Sequence, residues 1–180
     1  NSEEQVNNNR SRLFWTMMMI QSHNQQKKEA FESLAKWKKY RKANLDNSNQ
    51  VRVDGHNAGN YATEAWMHTL FGNYTKAKSL LKKHYDITSK WDDPSALDNY
   101  NGISGMVYVM EGNPSKALEF FNERISPANY QYYSYFKALA LKATQNKKAA
   151  DDIFNFIANY NFASWEVGLT RDLAKKALES

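Results

Sequence analysis

The chain has 180 residues, a formal net charge of +5, 42% hydrophobic residues and no cysteine. A chain of this length can bury the core of one domain, and seven glycines and three prolines are too few for a disordered or fibrous protein. The absence of cysteine excludes a disulfide framework, a thiolate zinc site and a cysteine nucleophile. The longest apolar run, near Leu13 to Ile20, is shorter than the roughly 20 residues of a membrane span, so no transmembrane segment is expected.

Apolar residues recur at helical spacing along the chain, which predicts an all-α fold. Four polar breaks, at Asn24, Asn73, Asn113 and Asn146, are each followed by the same pattern. An alanine comes first and a large apolar residue follows four positions later, so that both lie on one helix face. These pairs are Ala30 with Leu34, Ala77 with Leu81, Ala117 with Phe121, and Ala150 with Phe154.

The asparagines of the four breaks are expected to cap the N-termini of the helices that follow, because their side-chain oxygen can accept a hydrogen bond from the first turn. Asp93-Pro94 and Ser126-Pro127 have the composition of a cap followed by proline and predict two further helix starts. The first helices of the pairs are therefore predicted at 12–23, 56–71, 94–111 and 127–144. Residues 44–54 and 86–93 are predicted to form exposed loops or an extra helical turn.

The third pair resembles the tetratricopeptide repeat family, with Gly105 and Tyr108 on its first helix, Gly112 in the turn, and Ala117 and Phe121 on its second helix. The second pair is similar through Ala65, Gly72, Ala77 and Leu81, and the fourth through Ala138, Leu141, Ala150 and Phe154. The first, with Met18, Gln21, Ala30 and Leu34, is degenerate and has Gln25 where the family prefers glycine.

This resemblance implies a single domain built as a short right-handed α–α superhelix, or solenoid. Its four hairpins would span about 11–43, 56–85, 94–125 and 127–160. A C-terminal capping helix is predicted over 164–178, where Trp165, Leu169, Leu173 and Ala177 share one face.

The resemblance also implies a function, because the first helices of such hairpins line a concave groove that holds a peptide or a helix of another protein. The expected lining is apolar and aromatic, and its partner-binding residues are Arg12, Trp15, Met19, Trp66, Asn99, Met106, Met110, Tyr132, Tyr135 and Lys142. Ala62, Leu70 and Leu139 lie at neighbouring positions of the same faces. The sequence thus predicts a non-catalytic adaptor or scaffold that binds protein.

No HExxH, Walker, GxGxxG or GxSxG motif is present, so we expect no enzymatic activity, cofactor or metal. Two other functions stay open. The groove aromatics would also suit a glycan or another small ligand. Residues 27–42, here called the basic segment, contain seven lysines and arginines with Trp37 and Tyr40 interleaved. This segment could bind nucleic acid or an anionic surface. The modest net charge makes nucleic acid the less favoured partner. A homo-oligomer is compatible with the sequence.

Overall fold

The computed structural model describes residues 2–45, 49–127 and 129–179, and the regular structure in these residues is helical, without strands. The all-α prediction is therefore confirmed. The helices are α1 (Glu3–His23), α2 (Lys27–Lys42), α3 (Gln50–Leu70), α4 (Tyr74–Thr88), α5 (Asp98–Met110), α6 (Pro114–Asn122), α7 (Tyr130–Ala143), α8 (Lys147–Ala158) and α9 (Trp165–Glu179).

The helices form two compact units, which comprise residues 1–90 and 91–180. In the first unit, α1 pairs with α2 and α3 pairs with α4. In the second unit, α5 pairs with α6 and α7 with α8, while α9 packs against both α7 and α8. Neighbouring helices thus form the predicted hairpins in each unit.

The four hairpin turns share one hydrogen-bonding arrangement. In each turn the residue at the apex has a positive φ, and these residues are Gln25, Gly72, Gly112 and Gln145. The next N–H donates to a carbonyl five residues earlier at 2.8 to 2.9 Å, in the bonds Gln26 to Gln21, Asn73 to His68, Asn113 to Tyr108, and Asn146 to Leu141. This is the Schellman arrangement, which satisfies the last carbonyls of a helix and reverses the chain. The four turns therefore share one backbone geometry, which is compatible with a helical repeat.

The alanine and large apolar residue of each predicted pair are buried in all four hairpins. Ala30, Ala77, Ala117 and Ala150 have no exposed surface at all. A side chain of this size lets the two helices of a hairpin approach closely, and the larger residue one turn later fills the adjacent space. The pairs therefore form the centre of each hairpin's core.

Two glycines of α5 show how close this approach becomes in the second unit. A Cβ atom on Gly105 would lie 2.6 Å from Cε1 of Phe121, on the paired helix α6. A Cβ atom on Gly102 would lie 2.6 Å from Cζ of Tyr133, on α7. Real Cβ atoms do not come so close to ring carbons, so both positions require glycine for packing.

Several predicted helix ends are wrong. Asn24 is the C-cap of α1 and not the N-cap of α2, because the turn reverses the chain one residue later. Asn73 and Asn113 do accept from the backbone N–H three residues on, whereas Asn146 occupies the N-cap position without a side-chain bond.

The first helices of the hairpins also begin at other residues than predicted. α1 and α3 start earlier, at Glu3 and Gln50, so the connection predicted over 44–54 is shorter; its residues 46–48 lie outside the described ranges. α5 and α7 start later, at Asp98 and Tyr130. The Asp93 side chain accepts from the backbone N–H of Ser95 at 2.8 Å, which forms a local turn before α5.

The C-terminal helix is present as α9, but its buried face differs from the predicted one. Val167, Thr170 and Ala174 are buried, whereas Leu173 is exposed. Ala174 joins a buried cluster with Ala138 of α7 and Ala150, Phe154 and Ile157 of α8. The helix therefore packs on the α7–α8 hairpin, with a face rotated from that inferred from its large side chains.

Candidate functional site

The residues predicted to line a groove divide by burial. Met19, Trp66, Met106 and Tyr132 are buried, and so are the neighbouring Ala62 and Leu70. Trp15, Tyr135, Lys142 and Leu139 are half-buried, and Arg12, Asn99 and Met110 are exposed. Only the last two groups have side-chain surface with which to touch a partner.

The half-buried and buried members contact other parts of their own unit. Tyr132 packs against Trp165 of α9 with ring centroids 5.3 Å apart, and the Lys142 ammonium donates to the Ala177 carbonyl at 2.7 Å. In the first unit, Trp66 lies against His23 with ring centroids 5.9 Å apart. These side chains therefore contribute to packing between helices, and the structure does not bring the predicted set together as one exposed surface within either unit.

An exposed apolar surface does occur on α1. Leu13, Met17 and Ile20, here called the α1 stripe, keep 55%, 37% and 49% of their surface exposed. Their spacing of four and then three residues places them on one helix face. The helix packs by its other side, where Met18 and Met19 are buried. α1 is thus apolar on two sides, and only one of them is used for packing within the described part of the chain.

The basic segment forms α2, and several of its cations are engaged within the first unit. The Arg41 guanidinium lies 4.5 Å from the Trp37 ring centre and donates to the Asn60 side-chain oxygen at 2.8 Å. Burial lowers the pKa of Arg41 from its usual value. Lys38 forms an ion pair with Glu64 of α3. Because Trp37 is buried and these cations have partners, the segment offers less free charge and stacking surface than its composition indicates.

The second unit exposes aromatic rings in a continuous series, here called the aromatic row, which comprises Tyr130, Phe156, Tyr160 and Phe162. Successive ring centroids are 6.1, 5.4 and 5.7 Å apart. The rings are tilted by 79°, 55° and 56° to one another, so they do not form one flat platform for stacked sugar rings. Phe162, the most exposed, keeps 74% of its surface accessible.

A cleft of about 320 Å³ adjoins the aromatic row at Tyr130, and we call it the α7 cleft. Its walls come from the end of α6, the connection to α7, and the facing sides of α7 and α8, and its lining residues are Phe121, Arg124, Ile125, Ser126, Pro127, Tyr130, Tyr133, Ser134, Lys137 and Ile153. The lining includes two cations and no carboxylate.

Buried polar contacts fix one wall of this cleft. The Asp98 carboxylate at the start of α5 is buried and accepts from the backbone N–H groups of Ile125, at 3.0 Å, and Ser126. The Arg124 Nε donates to the Asp98 carbonyl at 3.2 Å, and its guanidinium lies 4.3 Å from the Tyr133 ring centre. Burial raises the pKa of Tyr133 to about 12, so this phenol stays neutral.

Neither the aromatic row nor the α1 stripe was predicted, although the sequence contains a signal for each. Phe156 lies off the buried stripe of α8, which consists of Ala150, Phe154 and Ile157, and Tyr160 follows it by four residues. Leu13 similarly lies off the face of α1 that includes Met18. A large apolar residue outside the core stripe is the pattern that marks such surfaces.

The described residues hold no group of three or more His, Cys, Asp or Glu side chains that could bind a metal ion. No helix among them has the length and apolar character needed to cross a membrane. The comparisons found no protein family, no curated protein and no solved structure that matches the chain.

Proposed function

We propose that the chain is a non-catalytic protein–protein interaction module, built from tetratricopeptide-type hairpins, that binds an apolar peptide or helix of a partner. The α1 stripe is the observation that supports this proposal. Three large apolar side chains at helical spacing, each more than a third exposed, form the kind of continuous surface that soluble proteins use for binding.

The chemistry of the stripe favours a protein partner over the alternatives. Leucine, isoleucine and methionine offer no ring for stacking sugars or bases and no charge for phosphate groups. They do fit the apolar anchors of an amphipathic helix, which recur at the same three- and four-residue spacing. Methionine, as at Met17, adapts its side chain to irregular apolar surfaces.

The repeat architecture supports the same function. α1 has 21 residues and is held by its hairpin partner α2, so the stripe is displayed on a preformed helix. A preformed surface loses little conformational entropy on binding, which favours affinity. The recurring turns and the buried alanine pairs support the assignment of tetratricopeptide-type hairpins.

The test is affinity capture from an extract of the source cells, with retained proteins identified by mass spectrometry. The wild-type chain is compared with a Leu13→Gln, Ile20→Gln double variant, which makes the stripe polar. Val51→Gln is the matched control, because Val51 is an exposed apolar residue of the same unit on another helix. Each substitution affects half-exposed or exposed side chains, so the thermal unfolding midpoints should stay close to that of the wild type.

A protein retained by the wild type and by Val51→Gln, but lost with the double variant, would support the proposal. Equal retention by all three chains would refute it. Sedimentation at increasing concentration examines a second copy of the chain as the occupant: self-association that the double variant abolishes would make the stripe a homo-oligomer interface and would also refute an external partner there.

A further inference from the structure

We propose that the α7 cleft binds a small organic monoanion, whose carboxylate pairs with Lys137 and whose apolar body lies against Ile125, Ile153 and Tyr130. The cleft has the volume of a small ligand site, since such pockets begin at about 300 Å³. It lies in the second unit, so the inference is independent of the α1 stripe.

Lys137 provides the charge for this site. Its side chain lines the cleft, and it forms no ion pair with any carboxylate in the described ranges. Burial lowers the pKa of its ammonium group, which means that the charge is partly removed from water without a compensating partner. A carboxylate in the cleft would supply that partner, and the pair would gain strength from the reduced solvation.

Ser134 provides a hydrogen-bonding group one turn before Lys137. Ser134 is only 7% exposed and lines the cleft. Its hydroxyl makes no hydrogen bond among the described residues. Because Ser134 lines the cleft, a ligand there can reach its hydroxyl without displacing a protein partner. A ligand oxygen bound at Lys137 could accept from this hydroxyl, because residues three apart lie on the same face of α7.

The electrostatic balance favours a single negative charge on the ligand. Arg124 is the other cation of the lining. Burial lowers the pKa of its guanidinium, and Tyr133 and the negative charge of the neighbouring Asp98 partly oppose this shift. Its Nε is already used by the Asp98 carbonyl. One uncompensated ammonium therefore remains, which suits a carboxylate better than a doubly charged phosphate.

The remainder of the lining selects the body of the ligand. Ile125 is exposed, Ile153 is half-buried, and the Tyr130 ring begins the aromatic row. These groups offer apolar contact and edge or face contacts to a ring, and they offer no further charge. The expected ligand is therefore a carboxylate with an aliphatic or aromatic body.

The experiment uses the full chain labelled with ¹⁵N, with binding followed by the shifts of backbone amide signals. The probes are 3-phenylpropionate and octanoate, each beside its neutral amide. We expect both acids to shift the signals of residues that line the cleft, and to bind at least about tenfold more tightly than their amides.

Variants then assign the charge. Lys137→Gln should weaken acid binding by about tenfold and leave amide binding unchanged, and Ser134→Ala should weaken acid binding severalfold. Lys148→Gln is the matched control, since it removes the same charge from an exposed position of the same unit. It should change neither acid binding nor amide binding.

The proposal is overturned if neither acid binds, if acids and amides bind alike, or if Lys148→Gln reduces acid binding as much as Lys137→Gln. If Lys137→Gln does not fold, Ser134→Ala tests the proposal in its place. Unchanged acid affinity in Ser134→Ala would show that the hydroxyl does not contact the ligand and would refute the proposed site.

Discussion

His23 should make the first unit sensitive to acid. Burial lowers the pKa of its imidazole from 6.5 to about 4, and the ring lies against Trp66. His23 is the last residue of α1, where the helix dipole favours a positive charge, so desolvation outweighs the dipole here. The other three histidines, His56, His68 and His84, belong to the same unit and also have lowered pKa values, with burial as the main cause.

The direction of the pH effect on stability depends on whether the folded or the unfolded chain binds the proton at higher pH. As the pH falls below 6.5, His23 becomes protonated in the unfolded chain while the folded chain keeps it neutral down to about 4. The stability that depends on a neutral His23 is therefore fully present above pH 6.5 and is lost as the pH falls from 6.5 to about 4. Between about pH 7 and pH 5 the free energy of unfolding should fall by about 1 to 2 kcal/mol from His23, the lower figure allowing for screening of a half-buried ring.

The assay is urea unfolding of the wild type and of His23→Gln, followed by tryptophan fluorescence at the two pH values. Other groups titrate in both chains, so the difference between the two pH effects isolates His23. On acidification from pH 7 to pH 5, we expect the free energy of unfolding of His23→Gln to fall by about 1 to 2 kcal/mol less than that of the wild type. An equal loss in both chains would refute the reasoning, because it would mean that the imidazole is equally basic folded and unfolded.

Two further predictions concern the hairpins. Gly105→Ala should destabilise the second unit by about 1 to 3 kcal/mol because its Cβ would overlap the Phe121 ring, whereas Gly168→Ala, with no atom within 4 Å, should stabilise α9 by about 0.5 to 1 kcal/mol. Similar thermal midpoints for the two variants would contradict the close approach of α5 and α6. Gln145→Gly should stabilise by up to about 1 kcal/mol, since its φ of 64° favours glycine, and a lower midpoint in calorimetry would show that the Gln145 side chain has a structural role.

Local spacing was sufficient to predict the hairpin cores. An alanine and a large residue four positions apart share a helix face whatever the surroundings, and Ala117 with Phe121 is buried as that pattern predicts. The turns were predictable for a similar reason, because Gly72 and Gly112 supply the positive φ that the reversal needs. Properties set within one or two helical turns can be inferred from sequence alone.

Helix starts were less predictable where the sequence is polar. The first two turns of α1 contain Glu3, Glu4 and several asparagines, and they show no apolar stripe that would indicate a helix. Ser2 nevertheless caps this helix by accepting from the Gln5 N–H, and Asn44 accepts a hydrogen bond from the Asn7 side chain. The contact between Asn7 and Asn44 joins residues 37 positions apart in sequence, so periodicity could not reveal it.

The candidate surfaces were hardest to predict because exposure depends on what packs against a helix. Trp66 and Tyr132 have the composition of binding anchors, yet neighbouring helices cover them. Leu13 and Phe156 have the composition of core residues, yet they are exposed. A residue's type fixes what it can contact, whereas the arrangement of helices decides whether it is available to a partner.

The α7 cleft forms where α6 is shorter than its hairpin partner α5. α6 has nine residues and α5 has 13, so α6 spans about 13 Å beside a partner of about 20 Å. The chain leaves the hairpin early at Asn122, and the Asp98 carboxylate holds the connection through the amides of residues 125 and 126. The cleft lies at this end of α6, because Phe121 of α6 and Lys137 of α7 both line it. The short helix therefore leaves that ammonium and the Ser134 hydroxyl facing a cavity, where a ligand can complete their contacts.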